Sequence, residues 1–171
     1  MNADNLKLRT MSLRETTAWL YAGLFVIGNL ILPQLCHLMP SGGPIWLPIY
    51  FFTLIASCCF GWQVGLVTAV VSPLVNSLFF AMPAIGVLPV ILIKSVLIAV
   101  TAGLLFPRCR YRLLALVLVV LSYQLVGMMF EWFWLGDWRL AVQDVIIGWP
   151  GLLVQVFGGY YLIPLFKRLL A

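Results

Sequence analysis

The stretch GVLPVILIKSVLIAVTAGLLF, residues 86–106, constrains this chain more than any other part of it. Its 21 residues carry one charge, Lys94. A helix of ~20 mostly apolar residues crosses ~30 Å of hydrocarbon. It also pairs its own backbone N–H and C=O groups where no water can. The rest of the chain repeats the pattern: 64% of its 171 residues are hydrophobic and 9% are charged. A typical soluble domain has about 45–50% apolar and about 25% charged residues, and one of this size could not hide so much apolar surface. The apolar runs do not alternate as the ~10-residue strands of a transmembrane barrel do. The expected fold class is therefore all-α: a six-helix integral membrane bundle forming one domain over residues 1–171.

Helices are expected at about 16–33, 45–60, 63–81, 86–106, 112–130 and 148–166. The segment 34–44, with Pro40-Ser41-Gly42-Gly43-Pro44, is a loop, and 131–147 is the longest loop. The charges test this count. Six spans place both termini on one side, and that side receives Lys7, Arg9, Arg14, Arg108, Arg110, Arg112, Lys167 and Arg168. The other side receives only Arg139. Cytoplasmic loops are enriched in Lys and Arg, so both termini are expected in the cytoplasm. The formal charge of +5 thus encodes orientation rather than nucleic-acid binding. The basic N-terminus ahead of an apolar run has a secretory look, but no A-x-A-like site follows, and the run reads as a retained first helix. The second half does not repeat the first, unlike many secondary transporters.

Several chemistries find no support. There is no G-x-S-x-G, no H-E-x-x-H and no Walker-type loop. Cys36, Cys58, Cys59 and Cys109 lie in or beside apolar runs and read as small hydrophobes. Neither they nor the lone His37 show metal-ligand spacing, so no metal, no cofactor and no enzyme activity are expected.

Polar residues within spans are costly and mark packing seams or cavities. Gly61, Gly65, Thr68, Ser72 and Asn76 share a face of the third span. Gln124, Gly127 and Glu131 share one on the fifth, and Gly148, Gly151 and Gln155 one on the sixth. The glycines alone read as helix packing; Asn76, Lys94, Gln124, Glu131 and Gln155 should face the bundle or a wet cavity. Lys94 falls six residues below the outer start of its span, about 9 Å at ~1.5 Å per residue. Asn76 and Glu131 fall near the outer ends of theirs. A pocket open to the outside is one reading of this grouping; a lysine snorkelling to the surface is the other. No acidic residue stands between Glu15 and Glu131, so the sequence shows Lys94 no near partner. Trp46, Trp132, Trp134, Trp138 and Trp149 fall at the outer face, as an interfacial belt would.

The segment from Leu47 to Phe106 is similar to the substrate-capture subunits (S components) of energy-coupling factor (ECF) vitamin transporters. The residues that carry this are LPIYFF (47–52), GWQVGLVTAVVSPLVNS (61–77) and MPAIGVLPVILIKSVLIAVTAGLL (82–105). Ala18-x-x-x-Ala22 looks like the family's docking motif. The resemblance implies capture of a vitamin or related organic micronutrient from outside a bacterial cytoplasmic membrane. It implies a transmembrane scaffold subunit, met through Ala18 and Ala22, and two cytoplasmic ATPase subunits that power uptake. Metal-specific relatives carry histidine directly after the initiator methionine; Asn2 stands here, which argues against nickel or cobalt. On this reading Lys94 neutralises a ligand carboxylate or phosphate, Asn76 and Gln124 hydrogen-bond the ligand, and Glu131 or Asp144 meets a donor at the mouth. Trp149 or a tryptophan of the 131–147 loop stacks on it. Two rivals remain: a scaffold of the cell-wall rod-shape machinery without a small-molecule ligand, and a small proton-driven transporter. The second would want an acid in midmembrane, and every acid lies at an end or in a loop.

Overall fold

The computed structural model describes Thr10 to Leu170; Asn2, Lys7 and Arg9 lie outside the described residues. The described residues are mostly helical, and no strand occurs among them. Five helices are long and apolar enough to cross a membrane: α1 (Thr16–His37), α4 (Trp62–Phe80), α5 (Leu88–Leu105), α6 (Arg112–Leu135) and α9 (Trp149–Leu170). They are compatible with a multi-pass membrane protein. The second expected span, 45–60, comes out differently. It is split into a short α2 (Gly42–Trp46), a 3-10 turn at Pro48–Tyr50 and α3 (Phe51–Phe60). The break falls at Leu47, held at φ 46° just before Pro48. The continuous stretch Pro48–Phe60 is 13 residues long, about 20 Å at ~1.5 Å per residue, short of the hydrocarbon thickness. Two more short helices, α7 (Trp138–Ala141) and α8 (Gln143–Ile146), occupy the loop before α9.

Helix ends also shift from the expected positions. The first helix does not stop at Pro33 but continues to His37. Proline lacks the N–H that would bond the carbonyl four residues back, here that of Asn29. The side chain of Asn76 on α4 fills the vacancy: its Nδ2 donates to Asn29 O at 2.9 Å. The Asn29 side chain is itself engaged, with Nδ2 donating to Thr53 Oγ1 at 2.9 Å and Oδ1 accepting from Phe52 N at 3.2 Å. Buried polar groups thereby tie α1, α3 and α4 together through bonds that lipid cannot compete for. The fifth span runs on to Leu135, so Glu131 sits on a helix rather than in a loop. Gly136 ends it at φ 69° and Asp137 caps α7, its Oδ1 accepting from Arg139 N at 2.8 Å.

Both ends of the described chain meet at one end of the bundle. Met11 N donates to Phe60 O at 2.9 Å, and Tyr21 OH donates to Leu170 O at 2.9 Å. Lys167 Nζ lies 5.4 Å from the centre of the Phe106 ring at the same end. There α5 packs against the start of α4 through Gly103. A Cβ added to Gly103 would fall 2.4 Å from Trp62 N and 2.6 Å from Trp62 Cα. Because backbone cannot rotate aside, Gly103→Val should destabilise the bundle by about 1–3 kcal/mol. Denaturant titration in detergent measures this, and a wild-type midpoint would show that α4 and α5 can part freely.

The small pair on α1 points into the bundle: Ala18 is 0% and Ala22 is 1% exposed. In this conformation neither side chain is open to a partner. Their small side chains let α1 pack on its own neighbours. The outward face of α1 carries Leu20, Leu24, Ile27 and Ile31 instead.

Candidate functional site

At the end opposite the chain termini lies a cavity of about 470 Å³, within the ~300–1,000 Å³ typical of small-molecule sites. Its walls come from the end of α1 (Pro33, His37), the 43–50 segment, the 81–87 loop and the start of α5. Most of the lining is apolar, with Pro44, Leu47, Pro48, Val87, Val90 and Ile91 among it. Two hydrogen bonds anchor the 81–87 loop from either side. Ser77 Oγ donates to Pro83 O at 3.0 Å, and Trp134 Nε1 donates to Gly86 O at 3.1 Å.

Three charges converge in this cavity. Lys94, 2% exposed, donates through Nζ to Glu131 Oε2 and, at 2.8 Å, to Asp144 Oδ2. The partners lie 37 and 50 residues away in sequence, which is why no near partner is visible there. Each arrives for a local reason. Pro89 sits in the first turn of α5 and opens that helix one turn before Lys94. Glu131 follows Gly127 by four residues on the same face of α6. Asp144 is delivered by the return after Gly136. The lysine stem lies directly on Gly127: a Cβ added there would fall 2.5 Å from Lys94 Cγ and 2.9 Å from Cε. A buried cation held by two carboxylates satisfies the requirement that charges inside a protein be paired and hydrogen-bonded.

Lys94, Glu131 and Asp144 thus line one cavity; Asn76, Gln124 and Trp149 do not. Asn76 spends its amide on α1, with Oδ1 accepting from Gln34 Nε2 at 3.4 Å in addition to the bond to Asn29. Asn76→Leu would strip Asn29 O of the side-chain donor that replaces the missing proline N–H, and should cost about 1–3 kcal/mol. Unfolding in detergent checks it, and an unchanged stability would mean water or a backbone shift satisfies that carbonyl. Gln124 is 5% exposed, and neither its Nε2 nor its Oε1 has a partner among the described residues. Trp149 is 57% exposed and, like every other tryptophan, does not line the cavity.

Sequence reasoning missed Tyr50, Gln143 and His37 as lining residues. Tyr50 is 3% exposed, and its ring lies 5.4 Å from that of Tyr123, whose OH donates to Gln155 Oε1 at 2.9 Å. A signal for Tyr50 exists: a phenol inside the apolar run LPIYFF needs a polar neighbour. His37 and the 43–50 wall belong to a proline-rich loop, and nothing local says that such a loop folds over the bundle rather than away from it. Among the described residues no group of three or more His, Cys, Asp or Glu side chains is placed to hold a metal ion.

Fold and site together define an all-helical chain with membrane-type helices and a charged cavity at one end. Comparison with protein-family models, curated proteins and solved structures finds no match.

Proposed function

We propose that this chain is a ligand-capture subunit of an ECF-type importer, binding a vitamin or related organic micronutrient from outside for uptake driven by partner subunits. The observation that carries the reading is the cavity of about 470 Å³ at one end of the bundle, where three separate segments bring Lys94, Glu131 and Asp144 together. A scaffold that binds only proteins has no use for such a site. The similarity of residues 47–106 to the S components supports the same reading. In this proposal Pro48–Phe60 serves as a sixth, shorter pass and both termini are cytoplasmic. The basic residues Arg108, Arg110, Arg112, Lys167 and Arg168 then lie on the cytoplasmic side, and the cavity opens outward. The chain itself carries out no reaction; ATP hydrolysis by two partner ATPases supplies the work. A transmembrane scaffold subunit would meet the outward face of α1, with Leu20, Leu24 and Ile27, rather than Ala18 and Ala22.

The test is to purify the full chain from a bacterial inner membrane, extract it and identify retained small molecules by mass spectrometry. Capture with tagged ATPase and scaffold subunits runs in parallel. A stoichiometric organic ligand and recovery of the complex are expected. No retained molecule together with no association would end the proposal.

A further inference from the structure

The order in which the three charges face the cavity bears on what kind of ligand fits. Lys94 lies behind the two acids. Its side chain is 2% exposed, against 10% for Glu131 and 16% for Asp144. The ammonium is engaged by both carboxylates, and its stem is sealed against Gly127. Each carboxylate gives the lysine one oxygen, Oε2 of Glu131 and Oδ2 of Asp144, leaving Oε1 and Oδ1 to other donors. The other titratable lining groups are His37 and Tyr50. With those neutral, one cation against two carboxylates leaves the cavity a formal charge of −1.

Two of the three Nζ hydrogens already go to carboxylates, so an anionic ligand at Lys94 would either sit beside two like charges or prise one carboxylate away and leave it buried without its counter-ion. A cation does the reverse: it adds donors to carboxylates that line the cavity and are more exposed than the lysine, and brings the local charge to zero. The walls around the acids are proline and aliphatic side chains, suited to a compact apolar or planar body. We infer that the site selects a ligand with a basic head group, an amine or amidine, docked on Glu131 and Asp144, with an apolar body packed against the proline-lined wall. This rests on the capture reading above and narrows its substrate class; it also reverses the sign expected when Lys94 is taken as a free cation.

Two probes of matched size and opposite charge, benzamidine and benzoate, test this by calorimetric titration of the full chain in nanodiscs. Benzamidine should bind at least tenfold tighter than benzoate, and Asp144→Asn should remove most of that preference. The wild-type comparison needs no variant, so a poorly folding mutant does not blunt it. Tighter binding of benzoate, equal affinities, or binding of neither probe overturns the inference. The capture reading fails separately: a retained anionic molecule in the purified chain would keep that reading and discard the cationic head group. Benzamidine binding by a chain that retains nothing and recruits no partner would do the opposite.

Discussion

Lys94→Met is expected to be the most damaging single substitution at the cavity, at about 3–5 kcal/mol of stability, because it leaves buried carboxylates without their counter-charge. Methionine fits the stem's place on Gly127, so lost packing is a minor part of the effect. Glu131 and Asp144, 10% and 16% exposed, would then face each other across the vacated position. Two like charges with little water repel, and both are held away from solvent. Neutralising them in the same background, Lys94→Met with Glu131→Gln and Asp144→Asn, should recover most of the loss, since a charge-free set carries no unpaired ion. The measurement is denaturant or thermal unfolding in a defined detergent, with ligand binding followed alongside. Stability should return in the triple variant while binding of a basic ligand does not. A single variant as stable as wild type would mean that the ion triad contributes nothing to the fold.

The second large effect is expected at Gly127. A valine there would drive its Cβ into the lysine stem, where even the first added carbon would fall 2.5 Å from Lys94 Cγ. The stem is buried, at 2% exposed, and its head is held by two carboxylates, so it cannot move aside without disturbing them. Overpacking of this kind costs about 1–3 kcal/mol, and displacement of Nζ from the acids should bring the total to the top of that range. Gly127→Ala should do the same in smaller measure. The mechanism gives a sharp check through a double-mutant cycle. In a Lys94→Ala background the space is open, and Gly127→Val should cost less than half of what it costs alone. Additive losses would show that Gly127 acts through the α5–α6 backbone contact and not through the lysine.

These expectations show where the sequence was readable. The five long helices could be read from composition and length, because a ~20-residue apolar run has few other ways to satisfy its backbone in lipid. The second span could not be measured so easily. Residues 45–60 are apolar throughout, yet Leu47 and Pro48 break the helix, and hydropathy does not register a kink. Asn76 was recognisable as a buried polar residue with a partner, but not as the partner of a carbonyl orphaned by Pro33. Those two residues stand 43 positions apart, on separate helices. Ala18 and Ala22 were recognisable as a packing stripe; which neighbour they pack against was not, since small side chains suit an internal and an external contact equally.

Lys94 marks the division most clearly. The sequence by itself determined that an ammonium sits on an apolar helix about two turns from its end, and that so costly a group must be paired or reach water. It also determined the helical class and the clustering of basic residues between the apolar runs. Only the tertiary structure decided which outcome holds. It brings Glu131 and Asp144 to the lysine from α6 and from the loop after Gly136, 37 and 50 residues away. Charge pairing is set by distance in space, and a chain that folds back on itself several times leaves little trace of that distance in residue order.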